Sequence, residues 1–385
     1  MPTLLSAEAA AERLGVSRST LYAYVSRGLV RSQAVPGTRR REYLADDIER
    51  LVQRRAARRD PSSVAREALD IHGMPVLGSG LTLIADGQLR YRGHDALALA
   101  KTHTLEQVAE LLWGAPLPEV ELPRLRAATR RRLAQLPFTE RCHAYLAQVG
   151  ADDPAAHHLE PAMIRRVGLQ ILRGLAAVAV DADPEAGASV AEQLAARWGL
   201  GSRARRRVEA ALILSADHGL NVSAFTARCV ASAGASPYMV VTAALAALAG
   251  HKHGGHTMRV AELLDERGEA EEIVVERLRL GRGIPGFGHS LYSEGDPRGR
   301  ALMQLCTNAA SARARAFVGV CDQLLGIAPN ADYGLVALAR SLELPADAPL
   351  VMFALGRCVG WIAHALEQYA SDQLIRPRAR YTGPT

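Results

Sequence analysis

Three histidines beside glycine, one aspartate and a set of arginines are the residues of this sequence best equipped for chemistry, and all lie in its C-terminal half. His218 stands in L-S-A-D-H-G-L-N-V-S (214–223), His253 in G-H-K-H-G-G-H (250–256) and His289 in P-G-F-G-H (285–289). Arg298 ends G-D-P-R (295–298), Asp332 sits in the expected loop N-A-D-Y (330–333), Arg357 opens R-C-V-G-W-I-A-H (357–364), and Arg376 belongs to I-R-P-R (375–378). Imidazole and carboxylate exchange protons near neutral pH once their pKa values are tuned toward it. Guanidinium groups clamp carboxylates in a bidentate fork, and glycine lets backbone come close to a ligand. The set suits carbon–carbon bond chemistry on a polyanionic substrate.

Other polar residues read more plainly. His251 and His256 flank the second motif as structural residues, and His364 lies one helical turn from Gly360 and Trp361 as packing. His157 and His158 are adjacent and cannot share a helix face, so no metal role falls to them. Glycines 281, 283, 286 and 288 form no dinucleotide loop, because no strand precedes them. No metal site is expected anywhere.

Apolar helical stretches must position these segments. The chain has 385 residues, enough for two or three domains with a large core. Apolar residues make up 49% and aromatic ones only 5%, with Ala and Leu dominant, which points to helices packed closely on helices. Runs such as 240–250 fall short of the ~20 residues that span a bilayer, so no membrane role is expected. No leader segment is apparent, and five scattered cysteines without a C-x-x-C pair read as free thiols. A cytoplasmic location follows as the expectation. Only G-S-G-L-T-L-I-A-D-G-Q-L-R-Y (78–91) alternates like a β-hairpin, around Asp86-Gly87. Helices are expected near 96–100, 104–112, 122–133, 140–147, 162–180, 188–198 and 207–214.

The head of the chain is different. Residues 1–60 carry +5 of the net charge of +6. A helix is expected over 5–14 with Ala9, Ala10 and Leu14 inward, and a second over 18–26 capped by Ser17. Then come R-G-L (27–29), P-G (36–37), R-R-R-E-Y (39–43) and a third helix from Asp47 to about Ala57, capped by Asp46. This pattern resembles the winged helix-turn-helix domains of the MerR type. The resemblance implies double-stranded DNA as a partner, with Arg18, Ser19, Thr20 and Tyr22 facing a major groove and Arg39, Arg40 and Arg41 on the wing. A polar segment at 58–63 reads as the linker.

The remainder, from about residue 75, resembles the citrate synthase family. Besides the segments above, L-R-Y-R-G-H-D (89–95) followed by 104–114, ending L-L-W-G, matches the opening of that family. The resemblance implies an all-α fold, with a large domain over 75–256 and 346–385 and a small mobile domain over 257–345. Residues 1–59 form the MerR-like domain, and 60–74 a linker and lead-in helix. It further implies condensation of acetyl-CoA or propionyl-CoA with oxaloacetate and water, giving citrate or 2-methylcitrate and CoA, with no permanently bound cofactor. In that reading Asp332 is the base. His253 and His289 are hydrogen-bond donors, and His218, Arg298 and Arg357 hold oxaloacetate. Arg376 reaches into the partner's site of a homodimer.

The chain also departs from the family pattern. Gly219 replaces an acidic residue, Ser290 replaces a basic one, and the Asp332 segment is abbreviated. None of these removes a proton-transfer group, but all alter pocket walls, so the acyl group stays open between acetyl and propionyl. The alternative reading is a DNA-binding regulator whose synthase-like part senses oxaloacetate or acyl-CoA with little catalysis. A third keeps the enzyme and makes the head purely structural.

Overall fold

A computed structural model of the chain describes residues 4–26, 30–35, 41–45, 47–48, 77–123, 125–182, 187–377, 381 and 383. The chain divides into two compact units, Met1–Gly78 with Pro377–Thr385, and Ser79–Arg376.

In the first unit, β1 (Leu4–Ser6) leads into α1 (Ala7–Leu14), α2 (Arg18–Ser26), β2 (Ser32–Ala34) and β3 (Arg41–Leu44). The first helix therefore starts later than its sequence suggests. Leu4 and Leu5 pair antiparallel with Leu44 and Tyr43, so sheet pairing wins over the helical spacing of the leucines. Ser6 caps α1 by accepting from the Ala9 amide at 3.2 Å. Its inner face is Ala10, Ala11 and Leu14, with Ala11 taking the place expected of Ala9. These residues pack with Leu21, Val30, Tyr43 and Ile48 into a separate small core. Ser17 accepts from the Thr20 amide at 3.2 Å and starts α2 as expected. β2 also pairs with β3, giving the order β1-β3-β2. The expected linker at 58–63 and most of the third helix lie outside the described residues.

In the second unit the hairpin is present as β4 (Thr82–Ala85) and β5 (Gln88–Tyr91), extended by β6 (His94–Asp95). Asp86 and Gly87 both take positive φ, 52° and 70°, as a tight two-residue turn requires. Among the described residues, everything else in this unit is helix and loop. In order these are α3 (Ala96–Thr102), α4 (Leu105–Trp113), α5 (Ala127–Leu133), α6 (Phe138–Asp152), α7 (Pro161–Ala179), α8 (Val190–Arg197) and α9 (Ser202–Ser215). There follow α10 (Val222–Ser232), α11 (Pro237–Leu248), α12 (His256–Asp265), α13 (Ala270–Arg279), α14 (Pro297–Gln304), α15 (Ala312–Leu325), α16 (Ala331–Ser341) and α17 (Ala348–Ser371). The fold is all-α, as the composition and the resemblance imply. α5 begins at Ala127, not near 122, because the stretch around Pro123 stays irregular.

α17 is the spine, packing on α4, α7, α9, α10 and α11. It is long and apolar enough to cross a membrane, yet 89% of its most apolar window is buried inside the fold, as befits a core helix. Gly360 brings it against the end of α9, where the Gly360 amide donates to the Ala216 carbonyl at 3.1 Å. A methyl group at Gly360 would run into that carbonyl, so only glycine allows the approach.

Candidate active site

Six of the seven residues singled out for chemistry line one cavity of about 300 Å³: His218, His253, His289, Arg298, Asp332 and Arg357. Arg376 is not among them. It follows α17 as an exposed residue. Asn221, Lys252, His256, Asn330 and Phe353 also line the cavity.

α9 delivers the first histidine. Just past its end, the buried Asp217 accepts from Thr82 Oγ1 at 2.5 Å and from the Gly219 amide at 3.0 Å, and lies 3.2 Å from His364 Nε2. Burial drives the Asp217 carboxyl up, but His364, Arg357 and Thr82 outweigh it, and the net shift is down. His364 is thus more than packing: it holds the aspartate that sets the His218 loop. His218 itself lies 2.9 Å from the Tyr292 hydroxyl. Its pKa falls well below the usual value, first through burial and then through Arg298 and Arg357.

His253 precedes α12, whose N-cap is Gly255, so it stands ahead of the helix's partly positive end. The Gly255 backbone packs so tightly on the Ala249 and Gly250 carbonyls that a β-carbon there would overlap them. His253 Nε2 is 2.9 Å from Ser223 Oγ and 3.2 Å from Asn221 Oδ1, and Trp361 Nε1 donates to that same Oγ at 3.1 Å. Burial, with Arg357 and Arg298 adding to it, pushes the imidazole down to about 3. His289 Nδ1 accepts from the Leu291 amide at 3.1 Å, which leaves the ring proton on Nε2. Its pKa is lowered by burial and Arg298, against a smaller opposing pull from Asp296. All three rings are therefore neutral at pH 7, each with one N–H to give.

The two cavity arginines are held differently. Arg298 gives Nε to Asp296 Oδ1 at 3.0 Å and Nη2 to Oδ2 at 2.7 Å. The same carboxylate accepts from the Ala331 amide at 3.1 Å, tying the starts of α14 and α16 together. Arg357 is 1% exposed; its Nε donates to the Ser215 carbonyl at 2.8 Å, and its buried Nη1 has no partner. Burial lowers its pKa to about 10, with Asp217 pulling the other way. A desolvated guanidinium without a carboxylate of its own is a seat for one from a ligand.

Asp332 is not in a loop. Asn330 caps α16 by accepting from the Tyr333 amide at 3.2 Å, which puts Asp332 in the first helical turn. Its Oδ1 is buried and unpartnered. Burial lifts the carboxyl to about 7, with Asp296 adding to the rise while Arg298 and Arg357 oppose it. Such a group is poised to take a proton near neutrality.

Sequence reading missed Asp296, Tyr292, Asn221 and Ser223. A signal existed for the first, since Asp followed by Pro marks a helix cap at the head of α14. In the first unit, the residues expected to face DNA are only partly described. Arg18 pairs with Glu8 at 2.7 Å, Thr20 Oγ1 lies 2.9 Å from Ser17 Oγ, Tyr22 is 53% exposed, and Arg41 Nε donates to Ser32 Oγ at 3.0 Å. Ser19 lies on α2, and Arg39 and Arg40 fall outside the described residues.

A carboxyl raised to about 7, in one cavity with a buried arginine that has no carboxylate of its own, suits enzymes that form a carbanion and add it to a keto acid. The protein is such a condensing enzyme. Residues 70–378 match the family described as "Citrate synthase, C-terminal domain", and the chain belongs to the citrate synthase family. Residues 5–63 match "MerR HTH family regulatory protein". Among relatives, "Citrate synthase 2" of Bacillus subtilis is 30% identical over 354 residues, covering 82% of this chain and 95% of the relative. "2-Methylcitrate synthase" of Mycobacterium tuberculosis is 31% identical, covering 77% of this chain and 84% of its own. Among solved structures, citrate synthase from Pyrobaculum aerophilum aligns with a TM-score of 0.70 at 27% identity, over 82% of this chain and 93% of that one. A ternary complex of the Thermoplasma acidophilum citrate synthase with carboxymethyl coenzyme A and oxaloacetate aligns at 0.68 and 25%, over 83% and 96%.

Proposed function

We propose that the chain condenses acetyl-CoA or propionyl-CoA with oxaloacetate, and that Asp332 is the base. The observation that carries this is Asp332, whose buried Oδ1 has no partner and whose carboxyl is raised to about 7, in the same cavity as Arg357. Asp332 removes the proton beside the thioester carbonyl, and His253 donates to the enol oxygen that develops. The enol carbon attacks the ketone of oxaloacetate while the Nε2–H of His289 stabilises the alkoxide. His218, Arg298 and Arg357 hold the dicarboxylate, and water then hydrolyses the thioester to release CoA.

A small domain over 257–345, carrying His289, Arg298 and Asp332, closes on the large domain over 75–256 and 346–385. Closure excludes water before Asp332 acts. Arg376, exposed beyond α17, completes the site of the partner in a homodimer. The relatives named for citrate and for methylcitrate support both acyl groups. A hydrophobic wall separates them by only ~1–3 kcal/mol per methylene. The five cysteines, all free thiols, suit the cytoplasm.

The pH dependence tests this reading. A base must be ionised to act, so activity falls as Asp332 gains its proton. kcat/KM for oxaloacetate, read from CoA release, is expected to drop with unit slope below a pH of about 7. A profile flat down to pH 5 contradicts the assignment.

The basic head supports a second role in which the enzyme also binds double-stranded DNA through α2 and the β2–β3 wing. Mobility shifts on DNA from its own promoter region are expected to weaken steeply as salt rises, because phosphate contacts release counterions. Binding that is absent, or indifferent to salt, leaves the head structural. A sensor without catalysis needs the arginines but not Asp332, which favours the enzyme.

A further inference from the structure

A second cavity, of about 360 Å³, opens between α3, α9 and α14 and shares no lining residue with the first. Its walls carry four cations, Lys101, Arg203, Arg206 and Arg207, and no acidic side chain. Arg206 spends two guanidinium nitrogens on backbone, donating to the Lys101 and His103 carbonyls at 3.0 and 3.2 Å. Among the described residues, Arg203 and Arg207 have no hydrogen-bond or ion-pair partner. They stand four residues apart on α9, so their like charges repel on one face, and Lys101 adds a third. The neighbouring Arg205 is neutralised by Glu192 at 2.8 Å, which shows what the cavity arginines lack. Leu97, Leu214 and Leu305 give the same cavity an apolar part of its lining.

We propose that this cavity binds a nucleotide-sized organic phosphate, with its phosphates on Arg203, Arg207 and Lys101 and its base on the apolar lining. Guanidinium groups suit phosphate oxygens, and a cavity of this size falls in the range that holds small organic ligands. Its occupant bridges two helices whose other ends serve the active cavity. α9 runs to Ser215, whose carbonyl holds Arg357, while the first turn of α14 carries Arg298 and its last turn lines the second cavity at Gln304. The inference rests on this cavity alone and stands apart from the proposed reaction.

The test is calorimetric titration of the full chain with ATP, tripolyphosphate and adenosine, repeated on the R203Q/R207Q double variant. ATP is expected to bind more tightly than either fragment, and the double variant to weaken it by at least ~10-fold. Arg203 is exposed and Arg207 half-buried, so the variant should keep its helical circular dichroism; Arg203→Gln alone, expected to show part of the loss, guards against misfolding. The proposal is overturned if ATP fails to bind at millimolar concentration, or if the variants bind it as tightly as the parent. It is equally overturned if saturating acetyl-CoA displaces ATP from parent and variant alike. Tripolyphosphate binding as well as ATP removes the role of the apolar lining, and adenosine binding as well as ATP removes that of the cations; either rejects the ligand class.

Discussion

Replacing Asp332 with Asn is expected to cut kcat by at least ~100-fold while oxaloacetate binds almost as before. The amide keeps the size of the carboxyl but cannot take a proton. Oxaloacetate is held by the arginines, so its affinity has little reason to change. Stability adds a second, independent readout. Asp332 has its pKa raised from 3.8 to about 7 on folding. Below the unfolded value the group is neutral in both states and its neutral-form stability is fully present. As pH climbs toward 7 the unfolded chain ionises first, so stability is lost. An amide does not ionise and suffers no such loss, so the Asp332→Asn variant should melt no lower than the parent at neutral pH. Near-normal turnover sinks the assignment of the base. A collapse in stability shows instead that Asp332 serves the fold.

Arg357→Leu has the next largest expected effect, on the other substrate. Arg357 is buried with a free Nη1, so a ligand carboxylate there gains a charge-assisted bond in a desolvated site. Removing the guanidinium should raise the oxaloacetate concentration needed for half-saturation by ~100-fold. The fold itself loses the bond from Nε to the Ser215 carbonyl and the stacking of the guanidinium on the Phe353 ring at 4.9 Å. It sheds a buried charge that has no carboxylate partner, and replacing such a charge by an apolar side chain is often neutral for stability. Titration of the variant with oxaloacetate, followed by protein fluorescence, reads the change. An unchanged half-saturation places the substrate carboxylate elsewhere.

Much of this site is legible in the sequence because each catalytic segment pairs a functional residue with its local support. Glycines let the His253 turn pack against α11, Asn330 caps the helix that bears Asp332, and Pro297 starts the helix that bears Arg298. What escapes is whatever depends on partners distant in sequence. Thr82 and His364 meet Asp217 from 135 and 147 residues away, and Trp361 reaches Ser223 across 138. Local pattern contains no trace of such meetings. The placement of Asp332 in a loop failed for a related reason: with two short residues after Asn330, the cap and the first turn look like a turn of irregular chain. At the N-terminus, Leu4 and Leu5 fit either a helix face or a strand, and only their pairing with β3 decides. Arg376, singled out with the others in the sequence, stays outside the cavity that gathers them.

The central claim is that this chain performs oxaloacetate-dependent condensation of an acyl thioester. Thiol release from acetyl-CoA and from propionyl-CoA, each with and without oxaloacetate, tests it most directly. Release with at least one thioester is expected to require oxaloacetate and to disappear in Asp332→Asn. Silence with both thioesters, in folded protein that still binds oxaloacetate, would contradict it and leave a ligand sensor in place of the synthase.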